Sequence, residues 1–252
     1  MQIKTTDVEL RVDDSLMRVY VASPRDTGKE TAKKYPGIVL FSEIFQLTGP
    51  ILRSVNRLAG HGFVVAAHEI YHRHEPVGTV IGYDDLGRMR GNEGARITPV
   101  RAYDADTSAV LDYLGKHEQV AAGRLGAVGF CIGGHLCIRA ALDPRVKAAV
   151  ACYPTGVHSG RLGKDADAGT LARLGEIKGE LITVFGSVDP HVPTEGRKTI
   201  REKLVSSGVR HHYVELPGEH AFMRDEGPRY DAAAADEVYL MAVAMFRRVF
   251  GE

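Results

Sequence analysis

The stretch that most constrains the fold is residues 124–142, RLGAVGFCIGGHLCIRAAL. Its beginning, residues 125–129, is short, apolar and closed by glycine, a pattern typical of a buried strand. Its end, residues 135–142, is apolar at near-helical spacing and stops before Asp143-Pro144, where proline discourages further helix. The chain must therefore turn from strand to helix within about four residues, with Cys131 at the turn.

Such a turn crowds its central residue, so neighbours without a side chain are needed. Gly129 lies two positions before Cys131, Gly133 two positions after it, and Gly134 follows. This pattern is the nucleophile elbow of the α/β-hydrolases with cysteine in place of serine. It predicts a sulfur held at the top of a sheet and at a helix N-terminus. A lone cysteine is more often a small buried hydrophobic residue, so other parts of the chain must support this interpretation.

The composition argues against several classes of protein. The 252 residues include 32 basic and 32 acidic side chains, so nothing favours a nucleic-acid or an anionic membrane partner. No apolar run approaches the ~20 residues of a membrane span, and the N-terminus lacks the apolar core of a signal peptide. The three cysteines have no zinc spacing. We therefore expect a cytoplasmic protein, either a monomer or a small homo-oligomer.

Buried strands alternate with helices, which predicts one α/β domain over residues 1–252. Its mostly parallel sheet should carry helices on both faces, after an antiparallel N-terminal hairpin. Residues 23–35 read as a surface loop, and the polar or irregular segments 76–99 and 155–179 are candidate lids. Strands are predicted at 8–12, 17–22, 37–41, 63–67, 125–129, 146–153, 181–185 and 211–216. Helices are predicted at 50–59, 102–114, 135–142, 194–206 and 230–250.

Reactive side chains follow the buried strands at their carboxyl ends, where active sites of such sheets lie. Cys131 follows the strand at 125–129, Asp189 follows that at 181–185, and His220 follows that at 211–216. Nucleophile, acid and base in this chain order are typical of α/β-hydrolases. His220 can take the thiol proton and later protonate the leaving group, while Asp189 holds the imidazole tautomer. Alone, Asp189 would be interpreted as a turn residue and His220 as a loop histidine.

Motifs spread over almost the whole chain resemble the dienelactone hydrolase (carboxymethylenebutenolidase) family. The resemblance implies one cofactor-free α/β-hydrolase domain that opens an enol-lactone to a keto acid in chloroaromatic degradation. The matching motifs are Glu43-Ile44-Phe45, Gly129-Phe130-Cys131-Ile132-Gly133-Gly134, Asp189-x-x-Val192-Pro193 and Pro217-Gly218-x-His220-x-Phe222-x-Arg224.

The resemblance implies roles for two charged residues. Glu43 matches the family glutamate that contacts the resting thiol, and Arg224 matches an arginine that binds the substrate carboxylate. Binding at that arginine frees the glutamate, which then deprotonates the cysteine. The alternative is that Glu43 and Arg224 form an ordinary ion pair. The backbone N–H groups of Ile132 and Ile44 are expected to hold the oxyanion.

The substrate pocket is where the chain departs from the family pattern. A second carboxylate-binding arginine is expected within residues 76–99, where both Arg88 and Arg90 are available. Phe222 and Tyr153 complete the predicted substrate-binding residues. Ala221 stands where family members often carry serine, and segment 155–179 looks longer than the family loop. These differences bear on the substrate and leave the hydrolytic chemistry intact.

A second motif predicts a different enzyme. His68-Glu69-Ile70-Tyr71-His72 fits the zinc-protease pattern His-Glu-x-x-His, with Glu93 as a conceivable third ligand. That motif functions on a helix, where both imidazoles share one face. Here it follows a strand-like run, and Pro76 closes any helix soon afterwards. Coincidence is therefore favoured, and we expect neither a metal nor a cofactor.

Three functions remain to be compared. The favoured one is a thiol-dependent hydrolase of a small ester or lactone that carries a carboxylate, or of another activated ester. The second is a zinc peptidase. The third is a non-catalytic binding protein of the α/β-hydrolase type, which a missing triad member would have indicated.

Overall fold

The structure, a computed structural model, describes residues 1–25 and 33–251. Strands and helices alternate along most of the chain, as the sequence predicts. The strands are β1 (Ile3–Val12), β2 (Ser15–Pro24), β3 (Tyr35–Phe41), β4 (Val64–His68), β5 (Val120–Phe130), β6 (Val146–Cys152), β7 (Glu180–Gly186) and β8 (Arg210–Leu216). The helices are α1 (Gly49–Gly60), α2 (Asp85–Ile97), α3 (Val100–Lys116), α4 (Ile132–Ala140), α5 (Thr194–Ser207) and α6 (Ala232–Phe250).

The strands form one sheet in the order β1-β2-β4-β3-β5-β6-β7-β8. The hairpin of β1 and β2 is antiparallel, and β2 joins β4 antiparallel. Every later pair, from β4–β3 to β7–β8, is parallel. The predicted α/β fold, with a mostly parallel sheet and an antiparallel N-terminal hairpin, is confirmed. Parallel order brings the carboxyl ends of β3, β5, β6, β7 and β8 to one edge.

Helices cover both faces of the sheet, because alternate side chains of each buried strand point to opposite sides. In β3, Val39 belongs to the core under α3, α4 and α5, whereas Ile38 belongs to the core under α1 and α6. Both side chains are fully buried. Burial on two faces explains why the central strands are continuous apolar runs rather than alternating ones.

Segment 76–99 contains a helix that the sequence analysis did not predict, α2. Its glycines lower intrinsic helix propensity, which hid the helical pattern. Buried Gly91 instead allows close packing, since a Cβ there would lie 2.5 Å from the carbonyl oxygen of Ile44. The Asp84 carboxylate caps the helix by accepting the Gly87 N–H at 2.7 Å. Helix α2 therefore rests directly on the loop that follows β3.

Segment 155–179 lacks α-helix and strand but is fastened to the elbow helix α4. The His135 ring contacts the Thr155 carbonyl at 2.9 Å and the Thr170 hydroxyl at 2.8 Å. Arg139 donates to the Ala168 carbonyl at 2.8 Å. Burial lowers the pKa of His135 to about 3, so this ring is neutral at physiological pH.

Two further sequence predictions concern segments at the surface. Within the predicted loop at 23–35, β2 continues to Pro24 and β3 begins at Tyr35. Residues 26–32 of that loop lie outside the described residues, as does residue 252. Among the helices of the described ranges, none combines the length and the apolar character needed to cross a membrane.

The packing of α2 on Ile44 can be tested by substitution at glycine. Gly91→Ala should lower the free energy of unfolding by about 1–3 kcal/mol, because the added methyl group meets backbone. Gly115→Ala in α3 is the control, since a Cβ there has no heavy atom within 4 Å. The control should raise stability by up to about 1 kcal/mol through helix propensity. Thermal or urea unfolding measures both, and stabilisation by Gly91→Ala would contradict the close contact.

Candidate active site

Cys131 lies at the turn between β5 and α4 in a strained backbone conformation. Its φ of 59° and ψ of −121° fall in a region that side-chain-bearing residues rarely adopt. Such a residue costs about 1–3 kcal/mol and persists only where its surroundings hold it. Its N–H donates to the Cys152 carbonyl at 3.1 Å, and its own carbonyl accepts the Thr155 N–H at 3.2 Å.

The glycines around Cys131 permit backbone contacts that no other residue allows. A Cβ on Gly129 would lie 1.9 Å from the Gly133 carbonyl oxygen, and one on Gly133 would lie 2.4 Å from that of Ser42. Distances below 3 Å exclude a side chain against backbone. The elbow helix is therefore pressed against both β5 and the loop after β3, and Cys131 is partly exposed above them.

His220 and Asp189 form a buried hydrogen-bonded pair at the same edge. The His220 Nδ1 lies 2.8 Å from Asp189 Oδ2. Asp189 Oδ1 accepts the backbone N–H of His191 at 2.7 Å and that of Val192 at 3.3 Å. These contacts fix the carboxylate and occupy Nδ1 of His220, so Nε2 is the ring nitrogen left to interact with Cys131.

Electrostatics favour a charged His220 beside the sulfur. Burial alone would lower the pKa of His220, but its interactions with Cys131 and with the Asp189 carboxylate outweigh burial and raise that pKa to about 10. Burial likewise would raise the pKa of Asp189, yet the hydrogen bond and charge of His220 hold it below its usual value. Both shifts have one cause, which is opposite charges held close together in a dry site.

Glu43 and Arg224 meet beside this pair. Arg224 Nη1 lies 3.4 Å from Glu43 Oε2, a long contact for an ion pair, and both side chains are largely buried. Burial raises the pKa of Glu43, and the charge of Arg224 only partly opposes the rise. The guanidinium also lies over the Tyr83 ring, 4.2 Å from its centroid. The described contacts of Glu43 do not include a hydrogen bond to Cys131.

The two residues predicted to hold an oxyanion through their backbone N–H groups lie near Cys131. Ile132 is the first residue of α4 and Ile44 lies in the loop after β3, and both line the same cavity as Cys131. Within residues 1–25 and 33–251, neither N–H has a hydrogen-bond partner. Unpaired donors of this kind are suited to a developing oxyanion.

These groups open onto one cavity of about 580 Å³. The carboxyl ends of the strands form its floor, and segments 76–99 and 155–179 both contribute to its walls. Its lining residues are Glu43, Ile44, Phe45, Tyr83, Arg88, Asn92, Ala95, Arg96, Cys131, Ile132, Thr155, Gly156, Arg161, Leu162, Gly163, His191, His220, Ala221, Arg224 and Arg229.

Three of the predicted substrate-binding residues lie away from this cavity. Arg88 lines it, but Arg90 points outwards and pairs with Glu75. Tyr153 and Phe222 are fully buried and stack edge to face, with ring centroids 5.5 Å apart. Tyr153 also meets the His220 ring at 5.1 Å. Arg90 is therefore a surface residue, and the two aromatic side chains support the catalytic loop from behind, which corrects the sequence prediction.

Other cavity residues were missed by the sequence analysis. Tyr83, Arg161, His191 and Arg229 line the cavity from loops with no motif or periodicity to mark them. Of these, His191 could have been predicted from the sequence, because it lies two residues after Asp189 in the same turn. Its ring lies 4.5 Å from that of His220.

The His-Glu-x-x-His motif does not form a zinc site of the predicted kind. His68 ends β4, and the motif continues into turns rather than a helix. His72 contacts Asp106 at 3.0 Å and the Ser15 hydroxyl at 2.9 Å, while Glu69 accepts the Gly78 N–H. The described residues contain no group of three or more His, Cys, Asp or Glu side chains placed to hold a metal.

Comparison with known proteins identifies the family. The sequence model of the dienelactone hydrolase family matches residues 17–250, which is most of the chain and includes every residue of the cavity. The chain belongs to the dienelactone hydrolase family. The resemblance inferred from the sequence motifs is therefore confirmed, and the chain is a hydrolase of the dienelactone hydrolase type.

Dienelactone hydrolase relatives span most of the chain. A provisionally named carboxymethylenebutenolidase of Saccharomyces cerevisiae is 38% identical over 238 residues, covering 92% of this chain and 86% of the relative. A carboxymethylenebutenolidase of Pseudomonas putida is 26% identical over 201 residues, covering 79% of this chain and 80% of the relative.

Solved structures agree on the fold. A provisionally named dienelactone hydrolase from Klebsiella pneumoniae superimposes with a TM-score of 0.82 at 23% identity, covering 98% of this chain and all of the other. A dienelactone hydrolase-like promiscuous phosphotriesterase from metagenomic libraries gives a TM-score of 0.77 at 21% identity, covering 98% of each chain. At this identity the likeness concerns the fold.

The three cysteines should differ in reactivity. Cys137 and Cys152 are fully buried, and burial raises the pKa of each thiol, whereas Cys131 is partly exposed. Because the thiolate is the reactive species, iodoacetamide should label native protein at Cys131 alone. Peptide mass spectrometry identifies the cysteine that is alkylated. Cys131→Ala should take no label until it is unfolded, and comparable native labelling of Cys137 or Cys152 would refute the described burial.

Proposed function

We propose that this chain hydrolyses a carboxylic ester or lactone through a Cys131-His220-Asp189 triad and a covalent acyl-enzyme. One observation carries the proposal: a strained, partly exposed cysteine beside a buried histidine that an aspartate holds at 2.8 Å. A nucleophile beside a base that a third group orients is the requirement for nucleophilic catalysis. Cys131 is the nucleophile, His220 the general base and Asp189 the residue that orients it.

The first half-reaction forms the acyl-enzyme. With the Cys131 proton held on Nε2 of His220, the thiolate attacks the carbonyl carbon of the ester. The N–H groups of Ile132 and Ile44 stabilise the oxyanion that results. The carbon–oxygen bond then breaks, and His220 gives its proton to the departing oxygen. In a lactone that oxygen stays attached through the acyl chain.

The second half-reaction restores the thiol. Water attacks the thioester while His220 removes a proton from the water, and the oxyanion forms again between the same two N–H groups. The carbon–sulfur bond breaks, and the proton held by His220 returns to Cys131. The sum is one ester and one water converted to one acid and one alcohol.

Glu43 and Arg224 are proposed to respond to a carboxylate on the substrate. Because the Arg224 charge opposes the rise in the Glu43 pKa, a carboxylate that attracts Arg224 leaves Glu43 more basic. When acidic substrate is bound, a more basic Glu43 can take the Cys131 proton in place of His220, and the charged His220 still supplies the proton to the departing oxygen. The 3.4 Å length of the present contact supports such an exchange of partners.

Residues 1–252 are proposed to be a single α/β-hydrolase domain in which segments 76–99 and 155–179 act as lids. Both segments line the cavity, and closure over substrate would exclude water from the thioester. Helix α2, in the first segment, touches the Ile44 backbone, so movement of α2 would also adjust the oxyanion site.

The alternative within the same chemistry is an esterase for another activated ester. Family relatives named carboxymethylenebutenolidase favour an acidic lactone, and Arg88 and Arg224 in the cavity wall support a negatively charged substrate. Parallel assays with dienelactone, neutral p-nitrophenyl esters and acidic p-nitrophenyl esters distinguish the two by their kcat/KM values.

Removal of the triad should nearly abolish turnover. Cys131→Ala and His220→Ala should each lower kcat on p-nitrophenyl acetate by about 10⁴-fold or more, because triad members act as a unit. For the same reason the double variant should be little worse than either single one. Arg90→Ala, whose side chain lies outside the cavity, is the control and should keep wild-type activity. Additive losses in the double variant would argue against a shared role.

Arg224 should select for acidic substrates. Truncating a partly dry guanidinium that grips a carboxylate costs ~2–5 kcal/mol. Arg224→Ala should therefore lower kcat/KM for an acidic lactone or ester by about 30-fold or more. A matched neutral ester should lose much less, and Arg90→Ala should affect neither substrate. Equal losses on both substrates would instead make Arg224 a structural partner of Glu43.

A further inference from the structure

The cavity is larger and more basic than a small lactone requires. Its volume of about 580 Å³ lies within the roughly 300–1,000 Å³ of sites that bury drug-sized ligands. Five arginines line it, and Glu43 is the one carboxylate among its described lining residues. The chain as a whole has no net charge. Positive charge is therefore concentrated where the substrate binds, which favours anionic ligands.

Two of the five arginines surround the reacting groups. Arg224 contacts Glu43, as described above. Arg229 donates to the His220 carbonyl at 3.4 Å, and its charge opposes the rise in the Glu43 pKa. This inner pair, Arg224 and Arg229, accounts for one anionic group close to the scissile bond.

Two more arginines lie on α2 and have carboxylate partners. Arg88 pairs with Asp85 at 3.0 Å, and Arg96 pairs with Glu93 at 2.6 Å. Both pairs are exposed. Because each charge is already compensated, these residues contribute less to the binding of an anion than an unpaired arginine would.

Arg161 is the remaining arginine, and it differs from Arg88, Arg96 and Arg224, which have carboxylate partners. It is exposed at the rim of the cavity, and in the part of the chain that the structure describes its side chain has no carboxylate partner. Other arginines of segment 155–179 and of α4 are paired, for example Arg173 with Glu176 and Arg139 with Asp104.

The backbone around Arg161 is fixed by close contacts. Its N–H donates to the Gly156 carbonyl at 3.0 Å, and a Cβ on Gly156 would lie 2.0 Å from the Arg161 carbonyl oxygen. The next residue, Leu162, is buried, and a Cβ on Gly163 would lie 2.1 Å from the Thr98 carbonyl oxygen. These contacts fix where the Arg161 side chain leaves the backbone, at the edge of the cavity that it lines.

We propose that Arg161 forms a second anion subsite at the rim of the cavity. The substrate class is then an ester or lactone with two anionic groups, one at the inner pair and one further from the scissile bond. A carboxylate or a phosphate monoester suits the planar fork of a guanidinium. This inference rests on the hydrolytic function proposed above and narrows its substrate.

Matched esters test the subsite through activity. The neutral probe is p-nitrophenyl butyrate, and the monoanionic probe is mono-p-nitrophenyl glutarate. The dianionic probes are homologues of the glutarate ester that carry a second carboxylate, placed further from the ester bond by successive methylene groups. One homologue should be the best substrate of the wild type. Arg161→Gln should lower kcat/KM for that dianionic ester by about fivefold, the effect of roughly 1 kcal/mol at an exposed pair. The neutral and monoanionic esters should keep wild-type values.

Two further variants sharpen the comparison. Arg173→Gln removes a positive charge from the same segment outside the cavity lining, and it should leave all three kinds of ester unaffected. Arg161→Lys keeps the charge without the fork and should give an intermediate loss on the dianionic ester. An equal loss on monoanionic and dianionic esters in Arg161→Gln would indicate general attraction of anions and overturn the subsite.

Binding separates failure of the subsite from failure of the proposed function. Calorimetric titration with glutarate and with tricarballylate, which has one more carboxylate, needs no turnover. Wild-type protein should bind tricarballylate more tightly than glutarate. Arg161→Gln should lower the ratio of the two affinities by about fivefold. Absence of any ester hydrolysis would reject the function but leave this measurement valid. An unchanged preference in Arg161→Gln would reject the subsite even in an active enzyme.

Discussion

The contact on which the rest of the site depends is the approach of bare backbone to backbone around Cys131. Gly129 and Gly133 allow α4 to press on β5 and on the loop after β3, with no side chain between them. This contact brings Cys131, Ile132 and Ile44 to the lining of one cavity. It also holds Cys131 in its unfavourable conformation, because relaxation would require the helix to move as a whole.

Much of this arrangement could be predicted from the sequence, because it depends on local rules. Continuous apolar runs indicate strands buried on both faces, and the parallel order of such strands brings their carboxyl ends together. The relation of Cys131, Asp189 and His220 follows from these two rules. The contact of Glu43 with Arg224 could be foreseen only through the family motif, since 181 positions separate the two residues.

What could not be predicted depends on tertiary contact. The glycines of α2 argue against a helix until the Ile44 backbone is seen to occupy the space of a side chain. Arg88 and Arg90 are indistinguishable in the sequence, and the position of Glu75 draws only Arg90 away from the cavity. Phe222 follows the catalytic histidine closely, yet it packs beneath the loop and not inside the cavity. In each case a neighbour distant in sequence determines the local structure or the position of the side chain.

The neutral His135 has a consequence for the acid tolerance of the protein. Its ring ties segment 155–179 to the elbow helix, and burial lowers its pKa to about 3. In an unfolded chain a histidine has a pKa of ~6.5, so between these pH values the unfolded chain binds a proton that the folded chain does not. Acidification within that range therefore favours unfolding. The residue that fastens one wall of the cavity thereby makes that wall sensitive to acid.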